Sequence, residues 1–327
     1  MTVGALAGAD PGTLSDRRSR RGDAAFAGIT RAAGLVVFAL LGAIAVFLVV
    51  KAIPALRHDK SSFWTTKIWD PDVSGRFGIA ALVFGTLLSS VLALAMAVPV
   101  SLGVALYVTE YAPRRISRLL GYLTDLLAAV PSVVYGLFGL FFLLPRLVGL
   151  QSWLAARLGW IPLFADPSGQ AREYSKSIFG AAVILAIMVL PIVSAITREV
   201  LRQADPAIKE AALALGATRW EMIRTAVLPP SRPGIVGAVM LGLGRTLGET
   251  IAVALVIGNT FSTSWHILPP GGATIAANIA NFFGEAGALG RSALIASGLV
   301  LFAITLLVNF LARYVILRSG REERSTV

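Results

Sequence analysis

The sequence predicts an all-α polytopic membrane protein with six transmembrane helices. Three observations support this fold class: 56% of the 327 residues are hydrophobic, 14% are charged, and the mean hydropathy is +0.76. Soluble domains carry roughly a quarter charged residues, so the charged fraction here is low. Several apolar runs approach or exceed the roughly 20 residues that a helix needs to cross a bilayer.

The apolar runs define the bounds of the predicted spans to within a few residues. They cover 33–53, 79–100, 119–145, 177–197, 234–257 and 292–316. The second run continues past Pro99 to Val108, which is longer than the hydrocarbon layer requires at about 1.5 Å per residue. It is therefore expected to extend beyond the bilayer or to kink at Pro99.

An even number of spans places both chain termini on the same side of the membrane. On the side of the termini, 18 Lys and Arg residues lie in 1–31, 110–118, 198–233 and 313–327, whereas the other side has 10, in 51–78, 146–176 and 258–291. Because basic residues are enriched in cytoplasmic segments, both termini are predicted to be cytoplasmic. The basic stretch "RRSRR" at 17–21 is interpreted as an anchor of this kind rather than as part of a twin-arginine signal.

The composition disfavours several classes of site. There are no cysteines, so disulfides and cysteine-ligated metals are ruled out, and His58 and His266 both lie outside the apolar runs. The formal charge of +11 is attributed to arginines at the cytoplasmic face, because no basic stretch is interleaved with aromatic residues for nucleic-acid binding. No Gly-rich loop with the Lys and Ser that bind ATP phosphates is found.

The polar segment between spans four and five is well specified by its own residues. Asp205 before Pro206 predicts an N-cap with proline at the first helical position, and an alanine-rich helix that stops at Gly216. Thr218 and Glu221 predict a capping box that begins a second helix. The segment should therefore form two short helices around a glycine corner.

Two prolines, Pro229 and Pro230, are expected to end the second of these helices. Any loop can fold into helices, so the local pattern alone does not assign a role. A projecting helix pair with small alanines is nevertheless suited to docking into the groove of a partner protein.

The same segment, with "EAALALG" at 210–216 and "LPP" from Leu228, resembles the EAA loop of ABC importer permeases. The positions in register with that pattern are Glu210, Ala211, Ala212, Gly216, Leu228 and Pro229. Ala226 departs from it, since the family usually carries isoleucine there. The resemblance implies the type I ABC importer permease fold. It also implies that the loop docks into an ATPase subunit, with Glu210 and Gly216 as the leading coupling residues.

The fifth apolar run carries two charged residues, Arg245 and Glu249, within "GLGRTLGET". Arg245 is the twelfth of the 25 residues between Gly234 and Gly258, near the middle of the predicted span. A charge at that depth costs about 2.5–3.5 kcal/mol on insertion scales, so a specific role is expected. In a continuous helix, Glu249 would lie one turn from Arg245 on the same face.

Two interpretations of this pair stay open. In one, Arg245 and Glu249 neutralise each other and act as a structural strut. In the other, they line an anion pathway, because arginine offers a planar fork of donors that matches tetrahedral oxyanions. The neighbouring Thr246 and Thr250 would then contribute hydroxyls, and the surrounding glycines would allow close helix packing.

The anion-pathway interpretation leads to a hypothesis about how phosphate is selected over sulfate. At neutral pH, phosphate keeps one or two protons and can donate a hydrogen bond to the Glu249 carboxylate. Sulfate has no such proton and would face an unpaired like charge, so it would be excluded by repulsion.

The wider stretch "GLGRTLGETIAVALVIGN" at 242–259 resembles the signature of phosphate-specific importer permeases of the PstC type. The stretches "VPSVVYGLFGL" at 130–140 and "GTLLSSVLALAMAVPVSLGVALYVTEYAP" at 85–113 are similar to the third and second spans of that family. The sister PstA-type subunit usually continues its Gly-Glu-Thr with Ala-Pro, unlike this chain. The resemblance covers roughly 60–318.

The third run contains further candidate residues for the pathway. Pro131 is expected to kink this span, so that Ser132 and Tyr135 face the pathway. A plain proline kink with a locally satisfied serine is the alternative. Asp125 lies about two turns into the same run, with Arg118 as its expected partner.

Four regions are predicted along the chain. They are a cytoplasmic tail at 1–28, a first transmembrane helix and external loop at 29–78, a core permease domain at 79–318 with the coupling loop at 198–233, and a cytoplasmic tail at 319–327. Within the core, the outside segment 268–287 is interpreted as a gate, a contact for a receptor protein or an interfacial helix.

The resemblance implies a permease subunit of an ATP-driven phosphate importer in a bacterial plasma (inner) membrane, and not an enzyme. The implied partners are a homologous PstA-type permease, a PstB-type ATPase dimer, a PstS-type extracytoplasmic phosphate-binding protein, phosphate and the lipid bilayer, without nucleic acid. ATP and Mg²⁺ would bind the ATPase subunits, and no cofactor would bind this chain. Alternatives are a permease for molybdate or sulfate and, less favoured, an ATP-independent secondary transporter or channel, for which no inverted repeat is visible.

Overall fold

Helices form nearly all the regular structure in residues 16–172 and 176–322, the part of the chain that the computed structural model describes. The helices are α1 Asp16–His58, α2 Ala80–Leu106, α3 Arg114–Ala128, α4 Ser132–Phe138, α5 Leu144–Leu158, α6 Ile178–Arg202, α7 Pro206–Ala214, α8 Arg219–Met222, α9 Leu228–Gly248, α10 Ile251–Val256, α11 Ile275–Phe282 and α12 Ala288–Glu322. Strands β1 Trp69–Asp70 and β2 Arg76–Phe77 pair antiparallel, with Trp69 opposite Phe77.

Within these described residues, six helical segments are long and apolar enough to cross a membrane, which confirms the predicted number of spans. They cover Asp23–His58, Ala80–Tyr111, Ser132–Leu158, Ile178–Arg202, Arg219–Gly248 and Ala288–Tyr314. The second span continues through Pro99 and a π-helical turn at Tyr107–Tyr111, so the predicted extension of this helix is confirmed. The predicted tails at 1–28 and 319–327 lie partly outside the described residues.

Packing divides the chain into two compact units, residues 1–51 and 52–327. In its described part, the first unit consists of α1 from Asp16 to Lys51. The second unit contains everything from Ala52 onward, including α2 to α12 and all the candidate site residues.

The central helix of the second unit is α6. In its most apolar window, 72% of the residues are buried, whereas no other spanning segment exceeds 28%. It packs most extensively against α2 and also contacts α3, α9 and α10. The largest core cluster includes Ala93 and Ala97 of α2, Leu185 and Val189 of α6, and Val253 of α10. Small side chains on α2 allow its backbone to approach α6 closely, as is typical of helix packing in membranes.

The third span runs over Ser132–Leu158, so the predicted bounds of 119–145 are wrong. Residues Arg114–Ala128 form the separate helix α3, and the chain turns before Pro131. Pro131 has an extended backbone and precedes the first residue of α4, so it begins a helix instead of kinking one. Proline is tolerated at a helix start because N–H groups there have no intrahelical acceptor. Apolar residues continue on both sides of this turn, so the hydropathy pattern did not reveal it.

An ion pair holds α3 against the end of α6. Arg198 Nη2 lies 2.8 Å from Asp125 Oδ1, and Arg198 Nη1 donates to Thr124 Oγ1 at 3.0 Å. Gly121 leaves room for the Arg198 guanidinium group, since a Cβ at this position would lie 2.8 Å from Arg198 Nη1. The prediction that Asp125 pairs with Arg118 is therefore wrong, because its partner is Arg198.

The segment 268–287 packs inside the second unit. Its helix α11 contacts α2, α10 and α12, and its first turn, from Ile275 to Asn278, is buried. The Ile275 N–H donates to Thr86 Oγ1 at 3.0 Å, which ties this turn to α2. This burial against protein does not fit the interpretation as an interfacial helix, and the gate and receptor-contact interpretations stay predictions.

Gly85 allows α2 to approach the residues just before α11. A Cβ at Gly85 would overlap the backbone carbonyl oxygen of Ala273. We therefore expect Gly85→Ala to destabilise the protein by about 1–3 kcal/mol, the usual cost of overpacking. The measurement is the thermal unfolding midpoint of the purified chain in detergent. Gly103→Ala is the matched control on the same helix, where an added Cβ meets nothing within 4 Å. Equal midpoints for the two variants would contradict this close contact.

Candidate functional site

The predicted fifth span, 234–257, is interrupted at the predicted charged site. α9 ends at Gly248, Glu249 has an extended backbone with φ −68° and ψ 124°, and α10 begins at Ile251. The prediction of one continuous helix over 234–257 is therefore wrong. Glycine has low helix propensity, which favours an end at Gly248. Side chains satisfy backbone groups at the break: Thr250 Oγ1 donates to the Gly248 carbonyl at 3.1 Å, and Glu249 Oε1 accepts from the Ala252 N–H at 3.2 Å.

Arg245 and Glu249 do not form an ion pair in this arrangement. The ion pairs found among the described side chains both lie elsewhere. The extended backbone at Glu249 takes its side chain out of the i, i+4 position and places the carboxylate at the start of α10, where Glu249 is 9% exposed. Backbone dipoles favour a negative charge at a helix N-terminus. The strut interpretation requires mutual neutralisation, and this geometry does not provide it.

Arg245 lies in the last turn of α9 and is exposed. Across the described part of the chain, no hydrogen bond or ion pair engages its guanidinium group. Tyr135, another predicted residue, lies in α4, which packs against α10 just after the break. An accessible guanidinium has five N–H donors available for an oxyanion.

The N-terminal half of the third span lies beside the break. Ser132 is in the first turn of α4 and Tyr135 is one turn further on the same face. The Tyr135 hydroxyl donates to the Leu127 carbonyl at 2.8 Å, which bridges the turn between α3 and α4. Gly136 permits a close approach to α10, since a Cβ there would lie 2.9 Å from Ala252 Cα. Because α10 follows the break directly, this contact keeps α4 next to Glu249.

The two predicted threonines donate their hydroxyl hydrogens to the chain itself. Thr246 Oγ1 donates to the Leu243 carbonyl at 2.9 Å, and Thr250 Oγ1 donates to the Gly248 carbonyl. A hydroxyl engaged in this way offers lone pairs rather than a hydrogen. Both residues therefore support the backbone around the break, and donation to an anion would require them to release these carbonyls.

The coupling loop folds as its capping residues predict. The Asp205 side chain accepts from the Ala207 N–H at 2.8 Å at the start of α7. Gly216 has a φ of +87°, in the left-handed region that favours glycine. Thr218 and Glu221 form the reciprocal hydrogen bonds of a capping box at the start of α8. The predicted glycine corner and the predicted starts of both helices are confirmed.

The prediction that Pro229 and Pro230 end the second helix is wrong. α8 continues through a π-helical turn at Ile223–Val227 into α9, which carries both prolines in its first turn. Proline has no N–H to donate, so the helix continues through this point without a backbone hydrogen bond from either residue. The coupling loop is thus continuous with the helix that carries Arg245.

The coupling loop presents an exposed surface. α7 has no buried residue. Of the predicted coupling residues, Glu210, Ala211 and Gly216 are exposed, whereas Ala212, Leu228 and Pro229 are half-buried. Large apolar side chains are exposed beside them, namely Ile208, Leu213, Leu215 and Trp220, with Leu215 at 90%. A group of exposed apolar side chains is typical of a protein interaction surface.

Sequence reasoning missed the contact that ties the coupling loop to α2. Lys209 Nζ of α7 lies 2.7 Å from Glu110 Oε1, in the π-helical turn after α2. The two residues are 99 positions apart, and Arg198 and Asp125 are 73 apart. No local spacing or motif signals a pairing across such separations.

This chain belongs to the family of binding-protein-dependent transport system inner membrane components, whose pattern matches residues 97–320. It is 44% identical over 300 residues to the phosphate transport system permease protein PstC 2 of Mycobacterium tuberculosis, covering 91% of this chain and 92% of that protein. It is 42% identical over 308 residues to the phosphate transport system permease protein PstC of Mesorhizobium japonicum, covering 92% of each. The predicted resemblance to PstC-type permeases is confirmed.

The fold has a counterpart among solved structures. A chain in the crystal structure of a bacterial ABC transporter involved in the import of the acidic polysaccharide alginate matches with a TM-score of 0.52 at 21% identity. The match covers 88% of this chain and 98% of that chain. Together with the family and the six spans, it confirms the predicted fold class, a type I ABC importer permease.

Proposed function

We propose that this chain forms half of the translocation pathway of an ATP-driven importer of inorganic phosphate. The observation that carries the proposal is Arg245, an exposed cation free of hydrogen bonds and ion pairs to the described residues, beside a break in a membrane-spanning helix. The names of the relatives with more than 40% identity support phosphate as the anion. Ser132 and Tyr135 would line the same pathway from α4.

The proposal includes partner subunits. A homologous PstA-type permease would complete the pathway, a PstB-type ATPase dimer would bind the coupling loop, and a PstS-type protein would deliver phosphate from outside. The exposed apolar side chains of α7 and the glycine corner support the ATPase contact. ATP and Mg²⁺ would bind the ATPase subunits, with no cofactor on this chain. The family description and the distribution of basic residues support an inner-membrane location with cytoplasmic termini.

A continuous helix from the coupling loop to the pathway supports a mechanism in which ATP hydrolysis drives transport. ATP binding and hydrolysis would displace α7 and α8. Since α8 runs without interruption into α9, that displacement would reach Arg245 and the break at Glu249. α9 can move relative to α10 there, because the extended residue interrupts the helical hydrogen bonds between them.

The direct test is uptake of labelled phosphate by vesicles that contain the assembled complex. We expect uptake to require ATP, to persist when ionophores dissipate ion gradients, and to resist competition by sulfate and molybdate. Equal competition by another oxyanion would favour a permease for that anion. Uptake driven by an ion gradient without ATP would favour a secondary transporter.

Glu249 provides a test of selectivity. Glu249→Gln keeps an oxygen that can accept from Ala252 but removes the charge proposed to repel sulfate. We expect the ratio of sulfate to phosphate uptake to rise about tenfold, which corresponds to about 1.4 kcal/mol of lost discrimination. Glu199→Gln, at an exposed position of α6, is the matched control. An unchanged ratio in Glu249→Gln would show that this carboxylate serves only to cap α10.

A further inference from the structure

A cationic cavity of about 370 Å³ lies where α3 meets the end of α6. Four arginines line it: Arg114 and Arg118 from α3, and Arg198 and Arg202 from α6. Asp125 is the one carboxylate in the lining, so four positive charges face one negative charge and leave a net charge of +3. None of the residues at the break in the fifth span belongs to this cavity.

Arg198 is the fixed element of this cavity. It is 9% exposed, and its Nη1 and Nη2 atoms are held by Thr124 and Asp125. Its buried Nε has no acceptor among the described residues. A buried donor without an acceptor is unfavourable, by about 1–3 kcal/mol. The other three arginines are exposed and form no ion pair in the described part of the chain.

The four arginines therefore outnumber the one carboxylate of the lining, and the excess positive charge favours an anion. Guanidinium groups bind the oxygens of phosphate groups through paired N–H donors, and several arginines around one cavity favour a multiply charged or multiply coordinated ligand. The cavity volume is roughly twelve times the ~30 Å³ that one water occupies in the liquid, which is sufficient for a phosphate group with its substituents.

We propose that this cavity binds a phosphate group, carried either by the headgroup of an anionic phospholipid or by inorganic phosphate. α3 also exposes apolar side chains next to these arginines, which would place it at the membrane surface; they are Ile116, Leu119, Leu123 and Leu126. A helix with adjacent apolar and basic faces lies at a membrane interface. The site goes beyond the proposed transport function and does not depend on it.

The position of the cavity gives such a ligand a structural effect. Arg202 is the last residue of α6, and α7 begins at Pro206. A phosphate group bound by arginines of both helices therefore links α3 to α6 immediately before the coupling loop.

The test is ligand-dependent thermal stability of the purified full-length chain in a neutral detergent. The probes are dihexanoylphosphatidylglycerol and inorganic phosphate, with dihexanoylphosphatidylcholine and sulfate as comparisons. We expect a saturable rise in the unfolding midpoint with at least one of the two probes. Its half-saturating concentration should increase tenfold or more in the double variant Arg118→Gln/Arg202→Gln, as expected for the loss of charge-assisted hydrogen bonds.

Arg115→Gln is the matched control, because Arg115 is an exposed arginine of α3 outside the cavity lining. We expect it to bind the probes like the native chain, and Arg114→Gln serves as a second cavity variant if the double variant does not fold.

A response to phosphatidylglycerol alone assigns a lipid headgroup, and a response to inorganic phosphate assigns the free anion. The proposal is overturned if neither probe gives a saturable shift, if the cavity variants bind normally, or if Arg115→Gln weakens binding equally. Arg245→Gln should leave this binding intact, so failure here is separate from failure of the transport proposal.

Discussion

Arg245→Gln should reduce ATP-driven phosphate uptake by about 10-fold to 100-fold while the complex still assembles. A hydrogen bond to a charged group contributes about 1.5–3 kcal/mol, and each 1.4 kcal/mol is a factor of ten. Glutamine retains a polar group of similar reach but loses the charge and the planar fork. Arg245 makes no ion pair or hydrogen bond within the described residues, so its removal should leave the fold unchanged.

Arg146→Gln is the matched control for this experiment. Arg146 also lies in a membrane-spanning segment, but its Nη1 donates to the Phe142 carbonyl at 3.0 Å and its guanidinium carbon lies 3.6 Å from the centre of the Phe142 ring. Because the Arg146 guanidinium already contacts Phe142 of its own span, we expect nearly normal phosphate uptake in Arg146→Gln. Assembly is checked by co-purification of the ATPase subunit. Normal uptake in Arg245→Gln with equal assembly would remove Arg245 from the transport cycle.

Gly216→Val should uncouple the permease from its ATPase partner and lower uptake at least tenfold. Gly216 has a φ of +87°, and a β-branched residue is strongly disfavoured in that region. The strain of about 1–2 kcal/mol would shift or unfold the corner between α7 and α8. Because this corner displays Glu210 and the exposed apolar residues, co-purification of the ATPase subunit should fall together with uptake.

Gly169→Val separates a local effect from general instability. Gly169 has a φ of +69°, and both glycines have nothing within 4 Å of an added Cβ, so the backbone strain is comparable. Gly169 precedes α6 in the chain, whereas Gly216 follows α6 and lies between α7 and α8. We expect Gly169→Val to retain the ATPase subunit. Equal retention by both variants would contradict the coupling role, and equal loss by both would indicate instability of the permease.

Local physical chemistry in the sequence determined the number of spans and the form of the coupling loop. A span is set by the hydrocarbon thickness, so hydropathy counts spans even when their ends are misplaced. Caps act within four residues, which is why Asp205, Thr218 and Glu221 correctly predicted α7 and α8. The motif around Arg245 likewise identified the family without any knowledge of its surroundings.

Tertiary structure decided the geometry around the charged residues. Glu249 lies inside the apolar run 234–258, so hydropathy cannot detect the break that turns its carboxylate toward α10. The turn before Pro131 also lies within an apolar run, so hydropathy could not detect it either. The pairs Arg198–Asp125 and Lys209–Glu110 join helices that only the fold brings together. Side chains act over a few ångströms in space, and positions 73 or 99 residues apart become neighbours only when the chain has packed.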